Sequence, residues 1–254
     1  MASKKKSADQ RTLVTFLLDE TGSMSSIKDD TIGGFNEYLS TLKNEKAATI
    51  DFTLIKFDSQ HLDKVCVAVP VASVVELTPA TYQPGAATPL IDAAYKTIKA
   101  VEKSLNGGNP KVVVCIQTDG QENSSTEYTW DQLNALIKEK TAAGWQFNFL
   151  GTGIDAYDTG SRMGISAGST MASGLSGQNV RASYSGMAAS TSNFAAGRAH
   201  DTTISMSARA ASGDRYYKDI FGVKKPITAG PATPVPPVPP TPAPKHKAVD
   251  DFTL

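Results

Sequence analysis

The apolar residues of this chain follow two spacings, one typical of strands and one typical of helices. Short apolar runs rich in β-branched residues predict strands, and longer stretches with apolar residues three or four positions apart predict helices. The predicted strands are residues 12–18, 50–57, 64–71, 112–116 and 145–150. The predicted helices are residues 27–42, 90–105, 130–142, 154–163 and 178–196.

The order of these elements predicts an α/β fold with a doubly wound, mostly parallel central sheet and helices on both faces. The turn Asp58-Ser59-Gln60 joins the second and third strands as a hairpin, which predicts one antiparallel edge strand. The run at 112–116, VVVCI, is wholly apolar, as expected for a strand covered on both faces. Residues 200–213 show no clear pattern and fit either a last helix or an irregular segment.

The two ends of the chain differ in composition from its middle. Residues 1–11 are polar with three consecutive lysines and are predicted to be a disordered basic N-terminus. We expect a folded domain over 12–222, with a core at 12–198 and a C-terminal extension at 199–222. A proline-rich, extended linker is predicted at 223–247, because nine of the 14 prolines lie between Pro226 and Pro244.

The last segment, 248–254, is a short acidic and apolar tip. Its simplest interpretation is the free end of a spacer. The alternative is that it docks in a groove of a partner protein, with the proline-rich arm as a tether.

Charge and composition exclude several classes of protein. The chain has 25 basic and 25 acidic residues, so its net charge is zero, which argues against nucleic-acid binding. Both terminal segments are basic, so the domain between them is acidic. Two cysteines and three scattered histidines argue against a disulfide framework and a multi-histidine metal site. No apolar run is long enough for a membrane span or a signal peptide, and we expect a cytoplasmic protein.

Oxygen-bearing side chains follow two predicted strands and precede one predicted helix. Asp19, Thr21 and Ser23 come after the first strand, Thr88 precedes the second helix, and Asp119 follows the strand VVVCI. Ligands of such sheets bind beyond the carboxyl ends of the strands, so the five side chains are expected to converge. Two carboxylates and three hydroxyls suit a hard cation, Mg²⁺ in the first place and Mn²⁺ or Ca²⁺ as alternatives. One position would stay open for a carboxylate from a partner protein.

With these motifs the sequence resembles a von Willebrand factor A domain with a metal-ion-dependent adhesion site, over about residues 12–198. That family's pattern is Asp-x-Ser-x-Ser, then a Thr before a helix, then an Asp after a central strand. Thr21 stands where serine is commoner and keeps the hydroxyl. The segments LLDETGSMSSIKDDTIGGFNEYL and FLGTGIDAYDTGSRMGISAG look most like stand-alone intracellular versions from bacteria and their phages. The resemblance implies a Rossmann-like fold and a role in protein binding.

Each candidate ligand also has a structural interpretation. Thr88 before Pro89 would make a good helix cap, Asp119-Gly120 is an ordinary turn, and Ser23 could cap the first helix. Taken together, the five residues favour a metal site.

Two further acids, Glu20 and Glu122, lie close to this site in the sequence. They could tune the metal or repel carboxylate partners. The simpler interpretation is that both are solvated loop acids.

Three functions remain open at this level. The sequence favours a non-enzymatic, metal-dependent protein-binding module. An alternative is a structural component of a phage particle or intracellular assembly, in which the metal only stabilises loops. A metal-assisted hydrolase is less favoured, because the three loops lack histidine and the chain lacks a GxxxxGK[ST] phosphate loop, which leaves only Glu20 or Glu122 as a base.

Overall fold

The structure is a computed structural model that describes residues 11–214, 216–218 and 224–226. Its main sheet has six strands in the order β3-β2-β1-β4-β5-β6. These strands are β1 Thr12–Asp19, β2 Ile50–Phe57, β3 Leu62–Pro70, β4 Lys111–Thr118, β5 Gln146–Thr152 and β6 Thr170–Ser173. A separate antiparallel pair is formed by β7 Tyr216–Lys218 and β8 Lys224–Pro226.

The strands next to β1 run parallel to it along its length. Residues of β1 pair with β2 from Thr12 to Asp19 and with β4 from Thr12 to Leu18. In the six-stranded sheet only β3 is antiparallel to its neighbour. The predicted α/β class, with a mostly parallel sheet and one antiparallel edge strand, is therefore confirmed. This register brings the carboxyl ends of β1 and β4 side by side.

Helices cover both faces of the sheet. They are α1 Lys28–Asn44, α2 Leu90–Ser104, α3 Trp130–Ala142, α4 Ala156–Met163, α5 Gly177–Ala195 and α6 Met206–Ala211. Short 3₁₀ turns lie at Gly22–Ile27, Val71–Ser73 and Ala167–Ser169. One apolar cluster joins the sheet to α1 and α5, and a second joins its other face to α2, α3 and α4.

The central strand β1 is buried on both sides, as its apolar sequence requires. Its Phe16 meets Phe35 of α1 edge to face at 5.3 Å between ring centroids and stacks with Tyr184 of α5 at 6.0 Å. Helix α1 approaches the Tyr184 ring closely at Gly34, where a Cβ would lie 2.5 Å from a ring carbon.

Strand β6 and the pair β7–β8 were not predicted from the sequence, and α6 lies in the region that the sequence left open between a last helix and an irregular segment. The region of α6 covers the outer edge of β6: Ser212 Oγ donates to the Ala172 carbonyl at 2.9 Å, and the Gly174 amide donates to the Ser212 carbonyl at 3.0 Å. Arg209 of α6 donates to the Thr170 carbonyl. The outer polar groups of this edge are thus bonded within the chain.

The opposite edge strand, β3, is irregular. Its pairing with β2 shifts register twice, between Phe52 and Leu54 and between Leu54 and Ile55. At Ala68 the backbone takes a φ of 47°, and the Ala68 amide donates to Thr53 Oγ1 at 2.9 Å instead of to a strand carbonyl. Such bulges twist an edge strand and interrupt its pairing pattern.

The predicted terminal segments fall mostly outside the described part of the chain. Residues 1–10, most of the proline-rich linker and the tip at 248–254 are not among the described residues. The described part of the predicted extension, from 199, carries α6 and contacts β6 and α5. Among the described helices none is both long enough and apolar enough to cross a membrane.

Candidate metal site

The five predicted ligands meet at the carboxyl end of the sheet. Asp19 is the last residue of β1, and Asp119 directly follows β4. Thr88 lies two residues before α2, in the loop that runs alongside the end of β1. The Gly22 amide donates to the Ala86 carbonyl at 3.0 Å, which joins the first loop to the loop of Thr88.

The side chains of these residues form one continuous network of contacts. The Thr21 amide donates to Asp19 Oδ1 at 2.7 Å. Thr88 Oγ1 donates to Thr21 Oγ1 at 3.1 Å, and Thr21 Oγ1 lies 3.3 Å from Ser23 Oγ. Ser23 Oγ in turn donates to Asp119 Oδ1 at 2.6 Å. The structure therefore brings together all five residues that the sequence singled out.

The residue before Asp119 belongs to the same network, although it was not among the predicted ligands. Thr118 Oγ1 donates to Asp19 Oδ2 and accepts the Gly120 amide at 3.0 Å. The hydroxyl of Thr118 thereby joins the ends of β1 and β4. The signal that could have identified it is its place as the last residue of β4, next to Asp119.

Burial makes both carboxylates difficult to ionise. Desolvation raises the pKa of Asp19 to about 6, against the opposing hydrogen bonds from Thr118 and Thr21, and the charge of Asp119 raises it further. Desolvation also raises the pKa of Asp119, while the hydrogen bond from Ser23 lowers it. A cation bound between the two carboxylates would oppose this effect and favour their charged forms.

A glycine leaves room among the oxygens. A Cβ placed on Gly120 would lie 2.9 Å from Thr88 Oγ1 and 3.4 Å from Ser23 Oγ. A side chain at this position would press against the Thr88 hydroxyl. The missing side chain therefore keeps the hydroxyls of two loops accessible to a small ion.

The donor set fits a hard divalent cation. Neighbouring ligands of an octahedral Mg²⁺ lie about 3 Å apart, given metal–oxygen distances of about 2.1 Å. The oxygen–oxygen contacts between Thr88, Thr21, Ser23 and Asp119 span 2.6 to 3.3 Å. Within the described residues no group of three or more His, Cys, Asp or Glu could hold a metal. Ligation here would depend on hydroxyls in addition to two carboxylates, a set suited to a cation that keeps several waters.

The structural interpretations of the same residues are wrong for Thr88 and Ser23. Helix α2 begins at Leu90 with no side-chain cap, and the Thr88 hydroxyl is directed to Thr21 instead. Helix α1 has Ile27 at its N-cap, again without a side-chain hydrogen bond, and the Ser23 hydroxyl is directed to Asp119.

Glu20 and Glu122 are not the solvated loop acids that the simpler interpretation expected. Glu20 is buried, is ion-paired with Lys56 at 2.8 Å, and accepts the Gln83 amide at 2.6 Å. Glu122 accepts the Ile91 amide at the start of α2 at 2.9 Å and the Ser125 amide at 2.7 Å. Both acids hold the loops together. Sequence alone could not show this, because Lys56, Gln83 and Ile91 come from other loops or elements.

The loop of Asp119 also fixes the position of Thr88. The Thr88 amide donates to Asn123 Oδ1 at 2.8 Å, and the Asn123 amide donates to the Thr88 carbonyl at 3.1 Å. Thr88 is therefore fastened on both sides, by its backbone to the β4 loop and by its hydroxyl to the β1 loop.

Comparison with known proteins gives structural matches only. No family model and no curated protein matches the chain. The von Willebrand factor domain of the type V pili tip protein Mfa5 from Porphyromonas gingivalis aligns with a TM-score of 0.55 at 8% identity, over 74% of this chain and 97% of that one. Proximal thread matrix protein 1 from the mussel byssus aligns with a TM-score of 0.52 at 12% identity, over 74% of this chain.

The alignment covers 46% of the mussel chain, so the present chain spans about half the length of that protein. Identities of 8% and 12% show a shared fold and no more. The chain thus has the fold of a von Willebrand factor A domain, as its motifs indicated.

Proposed function

We propose that this chain is a metal-dependent protein-binding module. In this proposal a Mg²⁺-type ion is held by Asp19, Thr21, Ser23, Thr88 and Asp119, directly or through water, and the site captures a carboxylate from a partner protein. The observation that carries the proposal is the continuous oxygen network of these five side chains at the carboxyl end of the sheet.

The charges of the site support capture of an outside carboxylate. Asp19 and Asp119 together balance a divalent cation, and the three hydroxyls add ligands without adding charge. When bound, the ion would supply a positive centre to which an oxygen from outside can bind. The chain's own residues fix that centre in place, because Thr118 orients Asp19 and Asn123 fixes the loop of Thr88.

The same contacts disfavour a metal-assisted hydrolase. Such an enzyme needs a base close to the metal, and Glu20 and Glu122 were the two candidates. Glu20 is engaged by Lys56, and Glu122 accepts three backbone amides, those of Ile91, Ser124 and Ser125. We therefore propose a non-enzymatic role. The docking role of the proline-rich tail and a cytoplasmic, bacterial or phage setting remain predictions from the sequence.

Metal binding can be tested with Mn²⁺ as the probe. The free Mn²⁺ signal in electron paramagnetic resonance should fall on addition of the wild-type protein. The variant Asp19→Asn should bind at least about tenfold more weakly, because one of two charged ligands is lost. The matched control is Glu37→Gln, which removes an exposed carboxylate from α1 and should bind like wild type.

Carboxylate capture is tested in the same samples with acetate at constant ionic strength. Bound Mn²⁺ should broaden the acetate methyl resonance with the wild-type protein, and excess chelator should abolish the broadening. Tight Mn²⁺ binding without acetate broadening would support the structural alternative, in which the metal only stabilises loops. Equal Mn²⁺ affinity of wild type and Asp19→Asn would refute the site itself.

A further inference from the structure

We infer that Lys56 and Glu20 form an ion pair that sets the charge of the metal site and thereby tunes its affinity for the partner's carboxylate. The inference rests on the proposed function and assigns two positioning residues outside the candidate ligands. It also explains why an acid can directly follow Asp19 without making the site repel its partner.

The pair lies at the junction of two strands and a loop. Glu20 directly follows β1, and Lys56 is the penultimate residue of the adjacent β2. Lys56 Nζ donates to both carboxylate oxygens of Glu20, at 2.9 and 2.8 Å, and to the Thr81 carbonyl at 2.9 Å. The two side chains are only 11% and 10% exposed, so solvent screens their charges weakly.

Glu20 also holds the loop that leads to Thr88. Its carboxylate accepts the Gln83 amide at 2.6 Å, and its carbonyl accepts the Gly85 amide at 2.8 Å. In the same loop Tyr82 donates from its hydroxyl to the Asp19 carbonyl at 2.6 Å. The position of Thr88 is therefore coupled to the residue that follows Asp19.

The charge of Lys56 cancels that of Glu20 beside the metal site. With the pair intact, a divalent cation and the carboxylates of Asp19 and Asp119 make a neutral centre. Loss of the Lys56 charge would leave the Glu20 carboxylate uncompensated beside the two carboxylates that the cation balances. This additional negative charge would attract the cation and repel an incoming carboxylate. Loss of the Glu20 charge would weaken binding of the cation and strengthen binding of the incoming carboxylate.

The charge balance between Lys56 and Glu20 predicts effects of opposite sign in two assays. For Lys56→Met we expect Mn²⁺ affinity to rise about fivefold and acetate affinity for the Mn²⁺ form to fall about fivefold, the size expected for one nearby unit charge. For Glu20→Gln both changes should reverse. The double variant Glu20→Gln/Lys56→Met should return both affinities towards wild type, because it is again neutral.

A purely structural role gives a different pattern. Disorder of the Thr88 loop would weaken Mn²⁺ and acetate binding together in every variant, and the double variant would be no better than the singles. That result would overturn the inference. The matched controls are Lys138→Met and Glu37→Gln, which remove one exposed charge each from α3 and α1. If Lys56→Met does not fold, Glu20→Gln and the double variant still give the comparison.

Failure of this inference is distinguishable from failure of the proposed function. A wild-type protein that binds no Mn²⁺ would refute the metal site. A wild-type protein that binds Mn²⁺ and acetate, with charge variants that leave both affinities unchanged, would refute only the role of the Lys56–Glu20 pair.

Discussion

The hydroxyl of Ser23 donates a hydrogen bond of 2.6 Å to Oδ1 of Asp119, across 96 positions of the sequence. This bond connects the loop after β1 to the loop after β4. It also joins an uncharged candidate ligand, the Ser23 hydroxyl, to a charged one, the Asp119 carboxylate. Its removal would take away one direct contact between the two loops, while the bond from Thr118 to Asp19 would still join the ends of β1 and β4.

We expect Ser23→Ala to weaken Mn²⁺ binding about tenfold, because one oxygen ligand and the contact to Asp119 are lost together. The free energy of unfolding in chelator should change by less than about 1 kcal/mol, since Ser23 is exposed. Ser25→Ala removes a neighbouring exposed hydroxyl and serves as the control. Equal Mn²⁺ affinities of the two variants, measured by electron paramagnetic resonance, would contradict this prediction.

Gly120→Ala should abolish tight metal binding, because the new Cβ would lie 2.9 Å from Thr88 Oγ1. The control is Gly85→Ala in the loop that carries Thr88, where a Cβ would meet no heavy atom within 4 Å. Calorimetric titration with Mg²⁺ should give wild-type binding for the control and at least about tenfold weaker binding for Gly120→Ala. Strong Mg²⁺ binding by Gly120→Ala would contradict this prediction and would mean that the loops of Gly120 and Thr88 can move apart at little cost in free energy.

Among the residues that the structure describes, Arg209 has the largest fully buried side chain, and its loss should destabilise the fold severely. Its guanidinium donates to the Tyr157 hydroxyl at 2.7 Å and the Gly168 carbonyl at 2.6 Å, and lies 3.6 Å from the carboxylate of Asp214. We expect Arg209→Met to lower the free energy of unfolding by about 3–5 kcal/mol, because a buried charge and several acceptors lose their partner.

The control for Arg209 is Arg181→Met, which removes an arginine that is 57% exposed and lies 3.7 Å from Asp30. Exposed pairs contribute about 0–1 kcal/mol, so this variant should unfold in urea almost like wild type. A similar loss of stability in both variants would show that the buried arginine contributes no more than an exposed one.

The contact between Glu45 and Arg198 should make part of the stability depend on pH. Hydrogen bonds from Arg198, and then from Ser192, lower the pKa of Glu45 from 4.5 to about 2. The folded pKa lies below the ordinary value, so this stabilisation is present above pH 4.5 and is lost as the pH falls towards 2. Arg198 is about half exposed, and solvent screening limits the contribution to about 1 kcal/mol.

The measurement is the difference in unfolding free energy between wild type and Glu45→Gln, from urea titrations at several pH values. The difference should be largest near neutral pH and should shrink steadily below pH 4.5. For the exposed residue in Glu37→Gln the difference should stay small throughout. A Glu45→Gln difference that does not change with pH would exclude the ion pair as its source.

Local signals in the sequence predicted the long elements well. Helix α3 occupies the predicted residues 130–142, because Thr129 and Gln132 form a capping box at its start and Gly144 follows its end. The convergence of the five candidate ligands was also predictable, since each lies at the end of a strand, in the loop after a strand or just before a helix. Parallel pairing of β1 with β4 then brings the loops together.

Features that depend on distant contacts were not predictable. Strand β6 has the sequence TMAS, with one large apolar residue, and is defined by its pairing with β5 and by Arg209. The roles of Glu20 and Asn123 depend on amides of another loop, and no local pattern indicates them. Thr53 in β2 is buried although it is polar, because the strand is covered on both faces.

The two edges of the six-stranded sheet disfavour the addition of further strands in different ways. The outer edge of β6 is bonded to the region of α6, and the register shifts of β3 break the regular row of groups that a new strand would need. Crowding of many copies at high local concentration is therefore not expected to favour their association through sheet edges. An ordered array of them would have to be built from other surfaces.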